Sequence, residues 1–217
     1  MSGAWTTAER AFRFTAGPLG GTLERTDDAK SLRIVMGELR IGAVGNLDWT
    51  LEDGGAEGTT QPIPDVAYLQ LPYVVAPFAL NTPAGLRLTA FFRANEDGVD
   101  VDFRLATIET LAAVSLDVNA EWPAGSFWTA AIVIHPTFPG VSAGVLRLGG
   151  RPTALLVDVG EHGKFEPNPQ GAALRLFHQA LEKGVILVGR FALRPFSDDA
   201  QLQRDLDEWL AHPSASL

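Results

Sequence analysis

Along most of this 217-residue chain, apolar side chains recur at every second position. Successive side chains of a β-strand point to opposite faces, so this period of two places one face on a core and the other in water. Val99, Val101, Phe103 and Leu105 alternate with Asp100, Asp102 and Arg104. Just before them, Leu86, Leu88, Ala90 and Phe92 alternate with Arg87, Thr89, Phe91 and Arg93. Between the two lies Ala94-Asn95-Glu96-Asp97-Gly98, a run of turn-forming residues. The spacing predicts a hairpin with a four-residue loop over 94–97, pairing Phe92 with Val99 and Leu88 with Phe103. That register gathers the large apolar residues on one side, and a slip of one residue would scatter them.

The same pattern recurs at Leu32, Ile34 and Met36, and at Leu47, Trp49 and Leu51. Further strands are read over 67–71, 74–80, 108–118, 127–135, 143–148, 153–159 and 185–193. Gly17-Pro18-Leu19-Gly20-Gly21 reads as a hairpin turn, and Asp53–Gly58 as a mobile loop. Roughly a dozen short strands separated by turn signals point to a sandwich or a barrel rather than to βαβ units.

Two segments depart from the alternation. From Gln170 to Lys183, Ala173, Leu174, Phe177, Ala180 and Leu181 fall at helical spacing, and Gly184 suits the position after a helix end. Near 198–211, Ser197 can cap a helix whose first turn carries Asp198 and Asp199. Its apolar stripe is Leu202, Leu206, Trp209 and Leu210, and His212-Pro213 ends it. No compositional break and no internal repeat divide residues 1–217. The expectation is one all-β domain, an antiparallel two-sheet β-sandwich with helices near 170–183 and 198–211. A closed β-barrel is the alternative.

Composition narrows the function classes. There are no cysteines, which excludes disulfide scaffolds, thiol catalysis and iron–sulfur ligation. Seventeen Lys and Arg against 26 Asp and Glu leave a net charge of −9. Such a surface repels phosphate backbones, so nucleic acid is not an expected partner. No apolar run approaches the roughly 20 residues a membrane helix needs. The opening Met1-Ser-Gly-Ala-Trp5 lacks a basic segment followed by an apolar one, so a cytoplasmic location is expected. No phosphate loop, dinucleotide glycine fingerprint, HExxH or EF-hand loop occurs, and no cofactor is implied. Two or three of His135, Asp158, Glu161, His162 and Glu166 could form a metal site, but their spacing does not fix one, so no metal is expected.

The densest polar cluster is Asp158-Val159-Gly160-Glu161-His162-Gly163-Lys164-Phe165-Glu166-Pro167-Asn168, read as a connector between a strand and a helix. Loops held by a rigid sheet are where sites sit. A carboxylate beside a neutral imidazole can share proton transfer near neutrality, which makes Glu161 and His162 the candidate acid–base pair, with Glu166 beside them. The competing reading is a solvated connection. His135 ends the apolar run 130–134 and would point into one end of the sheets next to Trp128 and Phe138; a histidine bonded to a backbone carbonyl is the alternative. Trp122 and Trp128 flank a tight loop, so one of them would stay exposed, although large aromatics in an all-β protein are mostly core. Trp128, His135, Asp158 and Asn168 are therefore the candidate ligand contacts.

Two resemblances bear on this. His135-Pro136-Thr137-Phe138 is similar to the histidine–aromatic segment that contacts the sugar in the aldose 1-epimerase (galactose mutarotase-like) group, and Phe165-Glu166-Pro167-Asn168-Pro169-Gln170 resembles the segment with its catalytic carboxylate. That resemblance implies Glu166 as base and His135 as a substrate contact. Gly3-Ala4-Trp5, with many strands ahead of a helix, a strand and a final helix, resembles lipocalin-like ligand-binding barrels.

The reading that follows is a small-molecule binding domain, most directly for a carbohydrate, with little or no catalysis. A sugar epimerase or isomerase using Glu161, His162 or Glu166 is the first rival. A homodimeric interaction module without ligand is the second, and exposure of Val35, Phe91 and Val185 would favour it.

Overall fold

A computed structural model describes residues 85–95, 98–108, 125–129, 133–148, 150–169 and 171–212, and elsewhere only strand segments. The first strands are β1 (Ala4–Ala8), β2 (Ala11–Thr15), β3 (Gly21–Arg25), β4 (Leu32–Met36) and β5 (Leu39–Ala43). They are followed by β6 (Leu47–Thr50), β7 (Glu57–Thr60), β8 (Ile63–Pro64), β9 (Tyr68–Gln70) and β10 (Tyr73–Ala79). Then come β11 (Arg87–Asn95), β12 (Gly98–Ala106), β13 (Leu111–Glu121), β14 (Phe127–Trp128) and β15 (Val133–Ile134). The last are β16 (Val141–Leu148), β17 (Arg151–Asp158), β18 (Lys164–Asn168), β19 (Gly171–Glu182) and β20 (Ile186–Pro195), with one helix, α1 (Asp199–Ala211). The expected turn over 17–20, most of the loop over 53–58, and Trp122 lie outside the described residues. So do the side chains of Val35 and Trp49.

Among the described residues every strand pairing is antiparallel. One sheet has the order β1-β2-β3-β4-β5-β13-β19-β18. The other runs β14-β16-β17-β20-β12-β11-β10-β8, with β15 also on β16 and β9 also on β10. Strands β6 and β7 pair apart from both. Each large sheet has two different edge strands, so the closed-barrel alternative does not hold. No described helix is long and apolar enough to cross a membrane.

The hairpin of β11 and β12 forms, but in another register. Phe92 pairs with Val101 and Leu88 with Leu105, and Asn95 faces Gly98 across a connection of residues 96 and 97. The shift is two residues, so each side chain keeps its face; alternation fixes parity and leaves such a slip open. Leu86, Leu88, Ala90, Phe92, Val99, Val101, Phe103 and Leu105 are all buried as expected. The opposite face is drier than a half-buried strand implies, for Phe91, Asp100 and Asp102 are buried too. Strand β12 is interior, between β11 and β20. Asp100 is matched there by Arg93, whose Nε and Nη2 donate to Oδ2 at 2.9 and 2.6 Å, and by Arg194 Nη2 on Oδ1.

The segment expected as a helix near 170–183 is strand β19. It pairs with β13 along its whole length, and the register breaks between Leu116 and Asp117. Leu116 faces Phe177 while Asp117 faces Arg175, which leaves Leu176 as an extra residue in β19, a β-bulge. Before the bulge Ala172, Leu174 and Leu176 are buried; after it Phe177 and Leu181 are. That single change of parity produces the spacing of Leu174, Phe177 and Leu181, which imitates one face of a helix. Leu176 lies against β20 of the other sheet, where a Cβ on Gly189 would come within 2.8 Å of the Leu176 Cβ. The glycine permits this close approach.

Helix α1 forms where expected, with its cap one residue later. Asp198, not Ser197, is the N-cap and accepts from the Gln201 amide at 2.9 Å. Ser197 precedes it, and its amide donates to Gln201 Oε1 at 3.0 Å. Leu202, Leu206 and Trp209 are buried on Val141, Ala143, Val145, Ala154, Leu156 and Ala192. The helix therefore covers the face of β16, β17 and β20 opposite to Leu146, Leu155 and Phe191. Leu210 packs partly buried against the same cluster.

Candidate functional site

The acidic connector joins two strands rather than a strand and a helix. It leaves β17 at Asp158, turns at 161–162, and its second half is β18, which pairs with β19 from Lys164 opposite Arg175 to Asn168 opposite Gly171. β18 is an edge strand, and alternation splits its side chains. Phe165 lies on one face and Lys164, Glu166 and Asn168 on the other. Lys164 Nζ and Glu166 Oε1 form an ion pair along that second face, and both side chains are exposed. Glu161 and His162 are exposed in the turn.

Trp128 is where the two sheets meet at this end. On β14 it stands opposite Leu146, so it shares the face of Leu146 and Gly144. A Cβ on Gly144 would sit 2.7 Å from the indole Cζ3, so the glycine makes room for the ring. The indole Nε1–H donates to the Asn168 carbonyl at 3.0 Å and lies 3.3 Å from that of Gly171. Its ring meets Phe165 edge-on, with centroids 6.0 Å apart and planes at 65°. Such an edge-to-face arrangement is favourable for aromatic quadrupoles. Trp128 and Phe165 are both half-buried, and Asn168 is exposed. The site thus consists of two aromatic rings set on the backbone of the edge strand β18, with the Asn168 side chain on that strand's other face.

His135 is on the other face. Its amide donates to the Val141 carbonyl at 2.9 Å, which aligns it with Val141 and Ala143 beneath the helix rather than with Gly144 and Leu146. Its Nδ1 accepts from the amides of Thr137 and Phe138 at 3.1 and 3.2 Å, so the neutral ring carries its proton on Nε2. Nε2 is 4.0 Å from Asp207 Oδ1 of α1, and the ring stacks on Phe138 at 4.9 Å. Asp158 accepts from Arg190 Nε at 3.2 Å and from the Gly160 amide at 3.3 Å. Of the candidate contacts, then, the structure brings together Trp128 and Asn168. It sets His135 and Asp158 on the helix side and leaves Glu161, His162 and Glu166 in solvent. Among the described residues no three His, Asp or Glu side chains gather as a metal-ligating group.

No protein-family model matches this chain, and no curated protein matches it in sequence. Solved structures are similar to it at low sequence identity. A polysaccharide lyase superposes over 95% of this chain and 34% of its own, with a TM-score of 0.55 at 10% identity. A protein described as a kojibiose phosphorylase from the human microbiome matches over 96% of this chain and 33% of its own, with a TM-score of 0.49 at 8% identity. A 4-alpha-glucanotransferase from Thermococcus litoralis covers 89% and 39%, with a TM-score of 0.40 at 9% identity. The likeness to the lyase is one of fold, and this chain spans about a third of that structure's length.

Sequence reasoning missed two members of the site, Gly144 and Phe165. Gly144 interrupts an apolar strand, and a glycine inside a strand signals close approach of another group. Phe165 sits in a polar run, and only the strand character of β18 turns it toward Trp128.

Proposed function

We propose that the chain is one β-sandwich domain that binds a carbohydrate and performs no chemistry of its own. The observation that carries this reading is the setting of Trp128 beside Phe165 and Asn168 at the rim of the two sheets. A half-buried indole anchored through its N–H offers a rigid apolar platform, and sugars present C–H faces to such platforms and hydroxyls to polar groups at their rim. The likeness to a polysaccharide lyase over nearly the whole chain supports a sugar as the ligand class. Binding without turnover is favoured because Glu161, His162 and Glu166 are exposed and Glu166 lies on the β18 face opposite Phe165. A general acid or base must come within hydrogen-bond reach of the substrate.

Calorimetric titration against a panel of neutral and acidic oligosaccharides tests the reading. Trp128→Ala should weaken the best ligand about tenfold, the scale of a lost aromatic platform. Silence across the panel removes the proposal. Turnover with a bell-shaped pH profile that disappears in Glu166→Gln would assign the epimerase reading instead.

A further inference from the structure

We propose that the face of β11, β12 and β20 beside helix α1 binds an amphiphilic carboxylate, with the Arg104 guanidinium as its anchor. Three arginines of this face are matched to carboxylates: Arg93 and Arg194 to Asp100, and Arg190 to Asp158. Arg104 is not. Its Nε is buried with no hydrogen-bond partner, and its guanidinium is stacked 4.7 Å over the Phe91 ring. A guanidinium carries five N–H donors in a planar fork that fits the two oxygens of a carboxylate. In a chain of net charge −9, a cation that forms no ion pair with the acids of its own sheet face is set apart from the other arginines.

The neighbours define the rest of the ligand. Thr89 and Val188 stand directly opposite Arg104, and one residue pair further along the same face are Arg87, Ala106 and Ile186. Val188 is 38% exposed and Ile186, in the last pair of β12 and β20, 57%, so two aliphatic side chains face water side by side. Arg87, also exposed, adds a second positive charge. A bare oxyanion would satisfy the arginine and leave the two aliphatic side chains in water, whereas a carboxylate on a short hydrocarbon body covers both. Asp102, on the same face, disfavours a second anionic group. This surface lies on the opposite side of the sheet from Trp128, so it stands independently of the sugar reading.

Titration of the full chain with octanoate, 1-octanol and acetate provides the test. Octanoate should bind, and octanol and acetate should each be at least about tenfold weaker, since one lacks the charge and the other the hydrocarbon. Arg104→Gln should weaken octanoate by a similar factor, and Arg104→Lys, which keeps the charge but loses the fork, by less. Val188→Glu, at an exposed position, should also weaken it and serves as the readout if the Arg104 variants do not fold by circular dichroism. Absence of octanoate binding, equal binding of octanol, or octanoate binding undiminished in folded Arg104→Gln or in Val188→Glu overturns the proposal.

Discussion

Arg190 shows how one side chain can join three elements. From β20 its Nε donates to Asp158 on β17 at 3.2 Å, and its Nη1 reaches the Trp209 and His212 carbonyls at 3.3 and 2.8 Å. The guanidinium also stacks 4.5 Å over the Trp209 ring. The last carbonyls of a helix lack intrahelical donors and carry partial negative charge. Helix α1 has no basic residue in its last turn, so the sheet supplies the cation. Arg190→Gln should cost about 3 kcal/mol, because it leaves a half-buried carboxylate and two carbonyls without their donor. In a chain of this size that corresponds to a fall in thermal midpoint of roughly 10 °C. Arg190→Lys should fall between the two, and an unchanged midpoint in Arg190→Gln would show that the network adds nothing to stability. The alternation over 185–193 identifies a strand but cannot identify this role, since the partners lie 19 to 32 residues away.

At the scale of elements, β19 and α1 were drawn from similar apolar spacing and resolved differently. Both patterns fit 3.6 residues per turn, but only α1 has a cap before it and a polar face uninterrupted by a bulge. The two readings of 171–182 make opposite statements about two side chains. A helical stripe would bury Ala180 and leave Leu176 at its margin, whereas β19 exposes Ala180 and buries Leu176. Ala180→Lys should therefore leave the thermal midpoint nearly unchanged. Leu176→Ala should destabilise by about 2–5 kcal/mol, the usual range for a truncated core leucine. A reversal of that order in thermal melts would restore the helix.

The cap of α1 adds a pH dependence. The Gln201 amide, and then the Ser197 hydroxyl, hydrogen-bond the Asp198 carboxylate and hold its pKa below the ordinary 3.8. A carboxyl whose folded pKa is depressed contributes stability above its unfolded value and loses it as pH falls through the folded one. The midpoint difference between the wild type and Asp198→Ala should be constant above pH 3.8 and shrink below it. A difference that stays the same in acid would show that the charge of the cap is immaterial.

For the whole molecule, the antiparallel all-β architecture was legible from the residues because alternation is a local property. A side chain two positions along is on the same face whatever the rest of the chain does, so the apolar sets of β11 and β12 could be read directly, whereas β16 and β17 are buried on both faces. Of the three residues expected to mark a dimer face, Val185 is exposed but Phe91 is buried beneath Arg104 and offers no apolar surface. The candidate site was legible only in part. Trp128 and Asn168 meet, but His135 does not join them, since β15 and β14 reach β16 with opposite parity.

Composition and period alone dictated strands, a helix over 199–211 and a net negative charge, because those depend on the residues themselves and on neighbours a few positions apart. Three-dimensional packing chose the rest. Which strands lie side by side, where a bulge reverses the faces of β19, and which carboxylate each arginine meets all depend on residues far apart in the chain. The free energy that selects among them comes from sheets and helix pressed together, and no short window of residues contains it.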